Sequence, residues 1–234
     1  MRPSELDFRH YESRVMLRVV IGSRAYGLED EHSDTDKRGI YLPQAEQHWS
    51  LEGVPEQIEN DATQEVYWEL EKFLKLALKS NPNILETLYS PLVEFASPFA
   101  KKLIAARAEF LSRAVYDTFQ GYVESQFKRI TTELRNLERI RWKQMMHLIR
   151  LQLTGITLLQ TGELTLHVGE HLQLLRDIKS GKRTFDEVDA LRRSLSHQFD
   201  LALATTSLPE HPNRELANDL LIEARTLALQ ASLP

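Results

Sequence analysis

The sequence of 234 residues contains no cysteine at all. Disulfide bridges, thiolate zinc sites and cysteine nucleophiles are therefore excluded. The chain also lacks any apolar run approaching the roughly 18 residues that a bilayer-spanning helix needs. Its first residues, MRPSELDFRHYESR, are too polar to be expected to form a signal peptide. These absences favour a cytoplasmic protein that does not span a membrane.

Excess positive charge is missing too, because the formal net charge is −5 at pH 7. A chain of this charge is not expected to coat nucleic acid indiscriminately, although a local basic surface remains compatible with it. The eight histidines show no metal-ligand spacing such as His-Glu-x-x-His. With 42% hydrophobic residues, the chain can form one large or two small domains with cores.

Two halves of the chain carry different patterns, which predict an α+β protein. Residues 1–97 contain short β-rich runs separated by turn residues, whereas residues 98–234 are almost wholly helical in pattern. The predicted strands are 15–21, 34–42 and 64–68, with a loop over 43–62, a helix from Leu70 and a short helix after Asn81-Pro82. The predicted long helices cover about 98–115, 117–160, 168–179, 184–198 and 213–231.

The first half contains a glycine-serine corner followed by paired aspartates. Gly22 and Ser23 end the first predicted strand, and Asp34 and Asp36 enter the next one. Residues two apart in a strand point to the same face, so the two carboxylates would lie side by side. Such a pair favours a cation between them, and Mg²⁺ prefers carboxylate and phosphate oxygens. The glycine allows close backbone approach to a phosphate, and the serine supplies a hydroxyl and an N–H.

A lone Asp-x-Asp is more often a turn, a helix cap or a solvated loop than a catalytic pair. The combination with an apolar strand, Gly-Ser and a short loop is what favours phosphoryl transfer here. Arg38 follows two residues after Asp36. It would either neutralise a triphosphate or form a structural ion pair with the aspartates.

The stretch GSRAYGLEDEHSDTDKRGIY resembles the signature of nucleotidyltransferases of the DNA polymerase beta superfamily, in the branch associated with RNA-repair pathways. A weaker similarity continues through KFLKLALKSNPNILETLYSP and into the helical half, so that it covers about residues 15–185. The resemblance implies a small polymerase-beta-type α/β domain over 1–97, with a short mixed sheet. A helical domain over 98–234 would then contact the acceptor or the nucleotide.

The resemblance also implies a third carboxylate on a later strand, and Glu65 is the candidate, with Asp61 and Glu69 as competitors. Together with Asp34 and Asp36 it would hold two Mg²⁺ or Mn²⁺ ions. One ion would grip a nucleoside triphosphate, and the other would activate an acceptor hydroxyl.

In the helical half, residues 124–153 are expected to form one helix. On it, the following basic residues would lie within about 80° of one another: Lys128, Arg135, Arg139, Lys143 and Arg150. A basic stripe of this kind is usually a solvated face, and the sharper interpretation is a contact surface for nucleic acid or triphosphate. Lys143, His147 and Arg150 are spaced i, i+4, i+7 and resemble family positions, so they are the candidates for substrate contacts.

Three functions are compatible with this pattern. The leading one is Mg²⁺-dependent transfer of a nucleoside monophosphate from a nucleoside triphosphate to an acceptor hydroxyl on an RNA end, a protein or a small molecule. The second is an inactive transferase that binds nucleotide or RNA. The third is a regulator that nucleotidylates another protein. The sequence leaves the acceptor, the base preference and the oligomeric state open.

Overall fold

The computed structural model describes residues 8–137 and 140–232. It divides the chain into two compact units. The first comprises residues up to 79, 83–110 and those from 212 onward, and the second comprises 80–82 and 111–211. Each unit is described by itself below.

A five-stranded mixed sheet organises the first unit, in the order β3-β4-β2-β1-β5. The strands are β1 (Val15–Ile21), β2 (Asp36–Tyr41), β3 (Gln57–Asn60), β4 (Glu65–Glu69) and β5 (Leu92–Ala96). β1 is antiparallel to both β2 and β5, while β2 and β4 are parallel and β3 is antiparallel to β4. The expected short mixed sheet with helices is therefore confirmed.

The helices of this unit are α1 (Ser23–Tyr26), α2 (Ala45–Trp49), α3 (Leu70–Ala77), α4 (Pro82–Tyr89), α5 (Pro98–Ala105) and α10 (Arg214–Ser232). Of these, α3, α4, α5 and α10 contribute residues to the main core on one face of the sheet. The main core contains Val19, Ile40 and Trp68 from three neighbouring strands, packed with helix residues such as Phe73 and Leu103. This pattern follows from strand geometry, because alternate residues share one face.

A smaller apolar cluster lies on the opposite face of the sheet. It contains Tyr41 and Tyr67, which are the strand neighbours of core residues Ile40 and Trp68, together with Phe8, Tyr11 and Ile58. The two faces of β2 and β4 can therefore be told apart by the cluster that each residue joins.

Two short strands of this sheet lie where we did not expect them. β3 and α2 lie in the predicted loop 43–62, and β5 follows the short helix that ends at Tyr89. Both strands are at edges of the sheet, and every residue of β5 from Leu92 to Phe95 is exposed. An exposed edge strand shows no apolar alternation, so the pattern gave no signal.

The division of the chain also differs from the predicted boundary at residue 97. α5 packs against β1 and β5, and α10 packs against α2 and α3. Ala217, Leu220 and Ala224 of α10 belong to the main core. The last helix therefore returns to the unit of the sheet, a long-range contact that no local sequence pattern specifies.

The second unit consists of helices, namely α6 (Ala114–Leu137), α7 (Trp142–Thr161), α8 (Leu172–Lys179) and α9 (Phe185–Thr205). α7 packs against α6, α8 and α9. Its buried side chains include Met145, Leu148 and Leu159. Among the described residues of the whole chain, no helix is both long and apolar enough to cross a membrane.

The expectation of one continuous helix over 124–153 is wrong. α6 ends at Leu137 and α7 begins at Trp142, after Arg141 with the non-helical angles φ −88° and ψ 77°. The chain folds back there, so that Glu133 Oε2 lies 2.6 Å from Arg141 Nε. Folding back buries the apolar faces of both helices against each other, whereas a single long helix would leave them in water.

The predicted basic stripe is consequently not one helix face. Lys128 and Arg135 are exposed on α6, and Lys143 is exposed on α7. Arg150 is only 1% exposed. The fifth member, Arg139, lies outside the described residues.

We predict that Glu71→Gln lowers the free energy of unfolding by about 0.5–1 kcal/mol at pH 7. Glu71 forms ion pairs of 2.5 Å with Lys75 and with Arg225 of α10. The hydrogen bond from Lys75, and then that from Arg225, lower its pKa below the ordinary value of 4.5. Because the folded-state pKa is lowered, this stabilisation is present above 4.5 and is lost as the pH falls through the folded-state pKa.

The measurement is urea unfolding of wild type and variant between pH 7 and pH 2.5. Glu52→Gln, in an exposed turn, is the matched control and should change stability little at any pH. An equal destabilisation by Glu71→Gln at both ends of the pH range would contradict the role of the ion pairs.

Candidate active site

The turn after β1 is a single helical turn between two glycines. Gly22 has φ 75° and ψ −152°, and Gly27 closes the turn in the left-handed conformation with φ 71°. Tyr26 N–H donates to Gly22 O at 3.1 Å, and Leu28 N–H donates to Ser23 O at 2.8 Å. N–H groups in the first turn of a helix have no intrahelical acceptor. The N–H groups near Ser23 can therefore serve a phosphate oxygen.

Gly22 lies against the carboxylate of Asp36. The two strands are paired so that Ile21 is opposite Asp36. A Cβ atom built on Gly22 would lie 2.5 Å from Asp36 Oδ2 and 3.4 Å from Asp36 Cγ. The backbone angles of Gly22 favour glycine strongly, and any side chain there would also displace the Asp36 carboxylate. The structure thus brings the Gly22-Ser23 corner and Asp36 together.

Helix α4 and the residue after it fix the corner from behind. The hydroxyl of buried Tyr26 donates to Glu86 Oε2 at 2.5 Å, and Glu86 is only 2% exposed. Ser90 Oγ donates to Val20 O, also at 2.5 Å. These buried hydrogen bonds hold both flanks of Gly22, and such bonds are stronger in a low-dielectric interior than in water.

Asp34 lies outside the strand, since β2 begins at Asp36. Asp34 is exposed, whereas Asp36 is partly buried. The loop that precedes Asp34 is closed by a hydrogen bond from Ser33 N–H to Asp30 O at 3.0 Å. Arg24 Nη2 also donates to Ser33 O at 3.2 Å. Asp34 is therefore placed by a hydrogen-bonded turn beside the start of β2, and not by strand alternation as predicted.

Arg38 connects Asp36 to the neighbouring strand. Its Nη2 lies 3.6 Å from Asp36 Oδ1, and its Nη1 donates to Gln64 O at 2.9 Å. Gln64 has a positive φ of 55°, and its carbonyl oxygen also accepts from Lys37 N–H at 2.9 Å. Of the two expected roles for Arg38, the contact that the structure provides is the ion pair with the aspartate.

Glu65 points to the other face of the sheet from Asp36. The parallel register pairs Glu65 with Lys37, the strand neighbour of Asp36. Glu65 shares its face with Tyr67, which belongs to the smaller cluster, while Asp36 shares its face with Ile40 of the main core. Because successive side chains alternate, the structure does not bring Glu65 together with the aspartates.

Glu65 instead belongs to a network on its own face. Its carboxylate accepts a short hydrogen bond from the Tyr67 hydroxyl. Arg18 Nε donates to the oxygen of the same hydroxyl at 2.7 Å. Arg18 Nε lies 3.7 Å from Glu65 Oε2. Burial, with the hydrogen bond to Glu65, raises the pKa of Tyr67 well above its ordinary value. The phenol therefore stays a hydrogen-bond donor to the carboxylate at all physiological pH values.

The two competing acids are not beside Asp36 either. Glu69 is 4% exposed and caps α3 by accepting from the N–H groups of Glu71 and Lys72. Its register partner is Tyr41, at the far end of β2. Asp61 is exposed in the turn between β3 and β4. Within the described ranges, no cluster of three or more His, Asp or Glu side chains is arranged to hold a metal.

The donors at the corner fit Mg²⁺ in one specific way. Asp34 and Asp36 offer hard carboxylate oxygens, and Mg²⁺ is commonly held by one or two carboxylates together with substrate phosphates and water. The backbone corner at Gly22 and Ser23 lies next to Asp36, where its N–H groups could face such a phosphate. The residues present therefore fit an ion that a nucleotide helps to bind, and they do not form a complete protein cage.

The three expected contacts of the helical half lie in the second unit. Lys143 is exposed and His147 is partly buried. Arg150 Nη2 lies 3.2 Å from His147 Nδ1. Since a guanidinium only donates, this ring nitrogen is the acceptor. Tyr122 of α6 packs edge-on against the His147 ring, with centroids 6.2 Å apart.

Glu86 is the site residue that sequence reasoning did not identify. It occupies a helix whose neighbouring residues Ile84, Leu85 and Leu88 are apolar and buried. A carboxylate within such an apolar run is unusual, because burying it requires a hydrogen-bonding partner. That run was the available signal, and the partner, Tyr26, is 60 residues away.

Comparison with known proteins gives a family match over nearly the whole chain. The family model of the RNA repair pathway DNA polymerase beta family matches residues 5–223. The chain is 34% identical over 149 residues to the uncharacterized protein YcgL of Bacillus subtilis, covering 56% of this chain and 57% of the relative.

The chain is also 26% identical over 151 residues to the uncharacterized protein MJ0002 of Methanocaldococcus jannaschii, covering 62% of this chain and 60% of the relative. The chain thus spans less than two thirds of the length of these curated relatives. Neither relative's name states an activity.

We predict that Gly22→Ala weakens Mg²⁺-dependent nucleotide binding at least about tenfold. The added Cβ would lie 2.5 Å from Asp36 Oδ2, which is too close, so the carboxylate would have to move. Gly53→Ala is the matched control. Gly53 also has a positive φ, of 64°, yet no described atom lies within 4 Å of its Cβ position.

Both variants place an alanine at positive φ, and at position 22 the combination with ψ −152° is one that essentially only glycine adopts. Thermal unfolding measures the strain in each variant, and titration with a fluorescent nucleotide in the presence of Mg²⁺ measures binding. If Gly22→Ala bound nucleotide as well as Gly53→Ala does, the contact between the corner and Asp36 would be irrelevant to the ligand.

Proposed function

Because the chain belongs to the RNA repair pathway DNA polymerase beta family, we propose that it is a nucleotidyltransferase that moves a nucleoside monophosphate from a nucleoside triphosphate to an acceptor hydroxyl. The hydroxyl oxygen attacks the α-phosphorus, and a new P–O bond forms. The bond from that phosphorus to the bridging oxygen breaks, pyrophosphate leaves, and the hydroxyl proton passes to a base or to water.

The observation that carries this proposal is the contact between Gly22 and Asp36. A backbone corner able to approach a phosphate lies against a carboxylate able to hold its counter-ion. Phosphoryl transfer depends mainly on positioning and on neutralising charge, so these two elements in contact supply what the reaction needs most. The hydrogen bonds from Tyr26 and Ser90 keep the corner rigid.

Each residue of the site has a stated role in the proposal. Asp34 and Asp36 would hold Mg²⁺, or Mn²⁺ in its place, and such an ion would supply charge neutralisation of the triphosphate and polarisation of its α-phosphate. The N–H groups at Ser23 hold a phosphate oxygen. Arg38 orients the Asp36 carboxylate through its 3.6 Å contact.

The number of metal ions depends on the third acid. The two-metal reaction implied by the resemblance uses a further carboxylate beside the aspartates, and Glu65 lies on the face opposite to Asp36, in the register with Lys37. We therefore assign Glu65 a structural role beside Arg18 and Tyr67. A second ion would have to be held by Asp34, Asp36 and substrate oxygens.

An RNA end is the acceptor that the family description favours. The second unit would contact it, with the exposed Lys143 as the first candidate. Phosphate contacts of this kind weaken steeply with salt. A protein or small-molecule hydroxyl remains compatible with the same site chemistry, because the corner and the aspartates act only on the triphosphate.

One observation favours a second function, an inactive module that binds nucleotide or RNA. Among the described residues, no third carboxylate joins Asp34 and Asp36. A protein with only two acids can bind a metal-nucleotide complex without activating an acceptor. Binding without transfer to any acceptor would identify this alternative.

We predict that Asp36→Asn lowers nucleotidyl transfer at least about 100-fold, because metal-ion stabilisation of the transition state is worth several kcal/mol. The folded state should keep nearly the same melting temperature, since Asp36 is partly exposed and asparagine preserves its shape. The assay uses each α-labelled nucleoside triphosphate with Mg²⁺ or Mn²⁺, and RNA oligonucleotides, the protein itself and a lysate as acceptors.

Glu65→Gln is the control of matched chemistry. We expect it to retain transfer within about threefold, because its carboxylate faces away from Asp36. Loss of activity in Glu65→Gln equal to that in Asp36→Asn, with both proteins folded, would restore Glu65 as the third metal ligand. Normal turnover by Asp36→Asn would refute the metal role of the aspartates.

A further inference from the structure

The helical unit contains a pocket of its own, separate in sequence from the aspartates. It has a volume of about 280 Å³ and lies among α7, the segment 165–168 and the start of α8. The side chains that line it include Arg150, Thr154, Thr157, Thr165, His167 and His171. Drug-sized ligands occupy pockets of ~300–1,000 Å³, so this one has room for a phosphate with its sugar but not for a whole nucleoside triphosphate.

Hydrogen-bond donors dominate the walls of this pocket. The side chain of Arg150 is only 1% exposed, and its guanidinium carries hydrogen-bond donors only. His167 Nδ1 accepts from Gly169 N–H at 3.1 Å, so the proton of the neutral ring is on Nε2. The three threonine hydroxyls can donate as well. Among the described lining residues, Glu170 is the one acid.

A 3₁₀ turn over Gly169–His171 leads directly into α8, and its residues also line the pocket. The Leu172 N–H donates to Gly169 O, and the turn contains the acidic Glu170, so the start of α8 is not an open anion-binding helix end. The buried arginine with its neighbouring donors therefore defines the site.

We propose that this pocket binds a phosphate monoester. The identity of its carrier rests on the proposed function, and is either a free nucleoside monophosphate or the phosphorylated end of an RNA. An anion is the ligand that matches a buried guanidinium, an imidazole N–H and hydroxyl donors. The pocket lies wholly within the helical unit, so the site binds independently of the chemistry at Asp36.

The test measures binding to the full-length protein in EDTA, which suppresses metal-dependent binding elsewhere. The probes are inorganic phosphate, AMP, and two short RNAs of the same sequence with either a 5′-phosphate or a 5′-hydroxyl end. We expect saturable binding of AMP or of the phosphorylated RNA, and at least about tenfold weaker binding of the 5′-hydroxyl RNA, because a hydrogen-bonded charge is lost. Preference for AMP or for the RNA distinguishes the two sources.

The variants are His167→Ala and Thr157→Val, both at exposed positions, with Arg150→Lys as a third. His197→Ala, an exposed histidine of α9 outside the pocket, is the matched control. We expect each of the first two to weaken binding roughly fivefold to tenfold without changing the melting temperature, and the control to bind as wild type does. Asp36→Asn, which tests the transferase proposal, should leave binding at this pocket unchanged. A failure of the pocket proposal can therefore be told apart from a failure of the transferase proposal.

Two results would overturn the site. One is the absence of saturable binding of any phosphorylated probe at millimolar concentration. The other is binding that His167→Ala, Thr157→Val and Arg150→Lys all leave unchanged while each variant remains folded. Because the first two variants alter exposed side chains, a folding defect in Arg150→Lys alone would not remove the test.

Discussion

The contact between the backbone of Gly22 and the carboxylate of Asp36 is the constraint on which the rest of the site depends. The antiparallel pairing of Ile21 with Asp36 creates it, and the distance of 2.5 Å from a built Cβ to Oδ2 means that a side chain at position 22 would displace the carboxylate. One strand register therefore places in contact the two groups to which the proposed function assigns the phosphate and the cation. A shift of one residue would turn the carboxylate to the other face of the sheet.

Rigidity at this corner comes from α4 rather than from the corner itself. A four-residue helical turn has little stability of its own, because helix nucleation is unfavourable. The hydroxyl of Tyr26 and the carboxylate of Glu86 are both nearly inaccessible to solvent, and their hydrogen bond fixes the end of the turn. Ser90 fixes the end of β1 in the same way. A preorganised corner loses less entropy when a phosphate binds. Positioning of this kind is a large source of rate acceleration in group-transfer reactions.

Local sequence signals were sufficient for β1 and for the Gly22-Ser23 corner, since each is set by neighbouring residues. The short mixed sheet was implied by the resemblance to the family and not by a local pattern. They failed where the outcome depends on distant pairing. Which face Glu65 occupies is fixed by its parallel register with Lys37, and no pattern within β4 encodes that register. The end of α6 at Leu137 has no proline or glycine to mark it. It follows from the burial of two apolar helix faces, a property of the folded unit. Glu86 was missed for the same reason, because its partner lies 60 residues away.

The count of carboxylates determines how metal and nucleotide would bind to this chain. With Asp34 exposed and Asp36 already 3.6 Å from Arg38, the protein alone offers Mg²⁺ few ligands and a nearby positive charge. Triphosphate oxygens would have to complete the coordination. Each ligand would then raise the affinity for the other by the same factor, since coupling between two bound ligands is reciprocal. In the proposed function the ion would arrive with its nucleotide, and the corner at Gly22 would select the pair by binding a phosphate of that nucleotide.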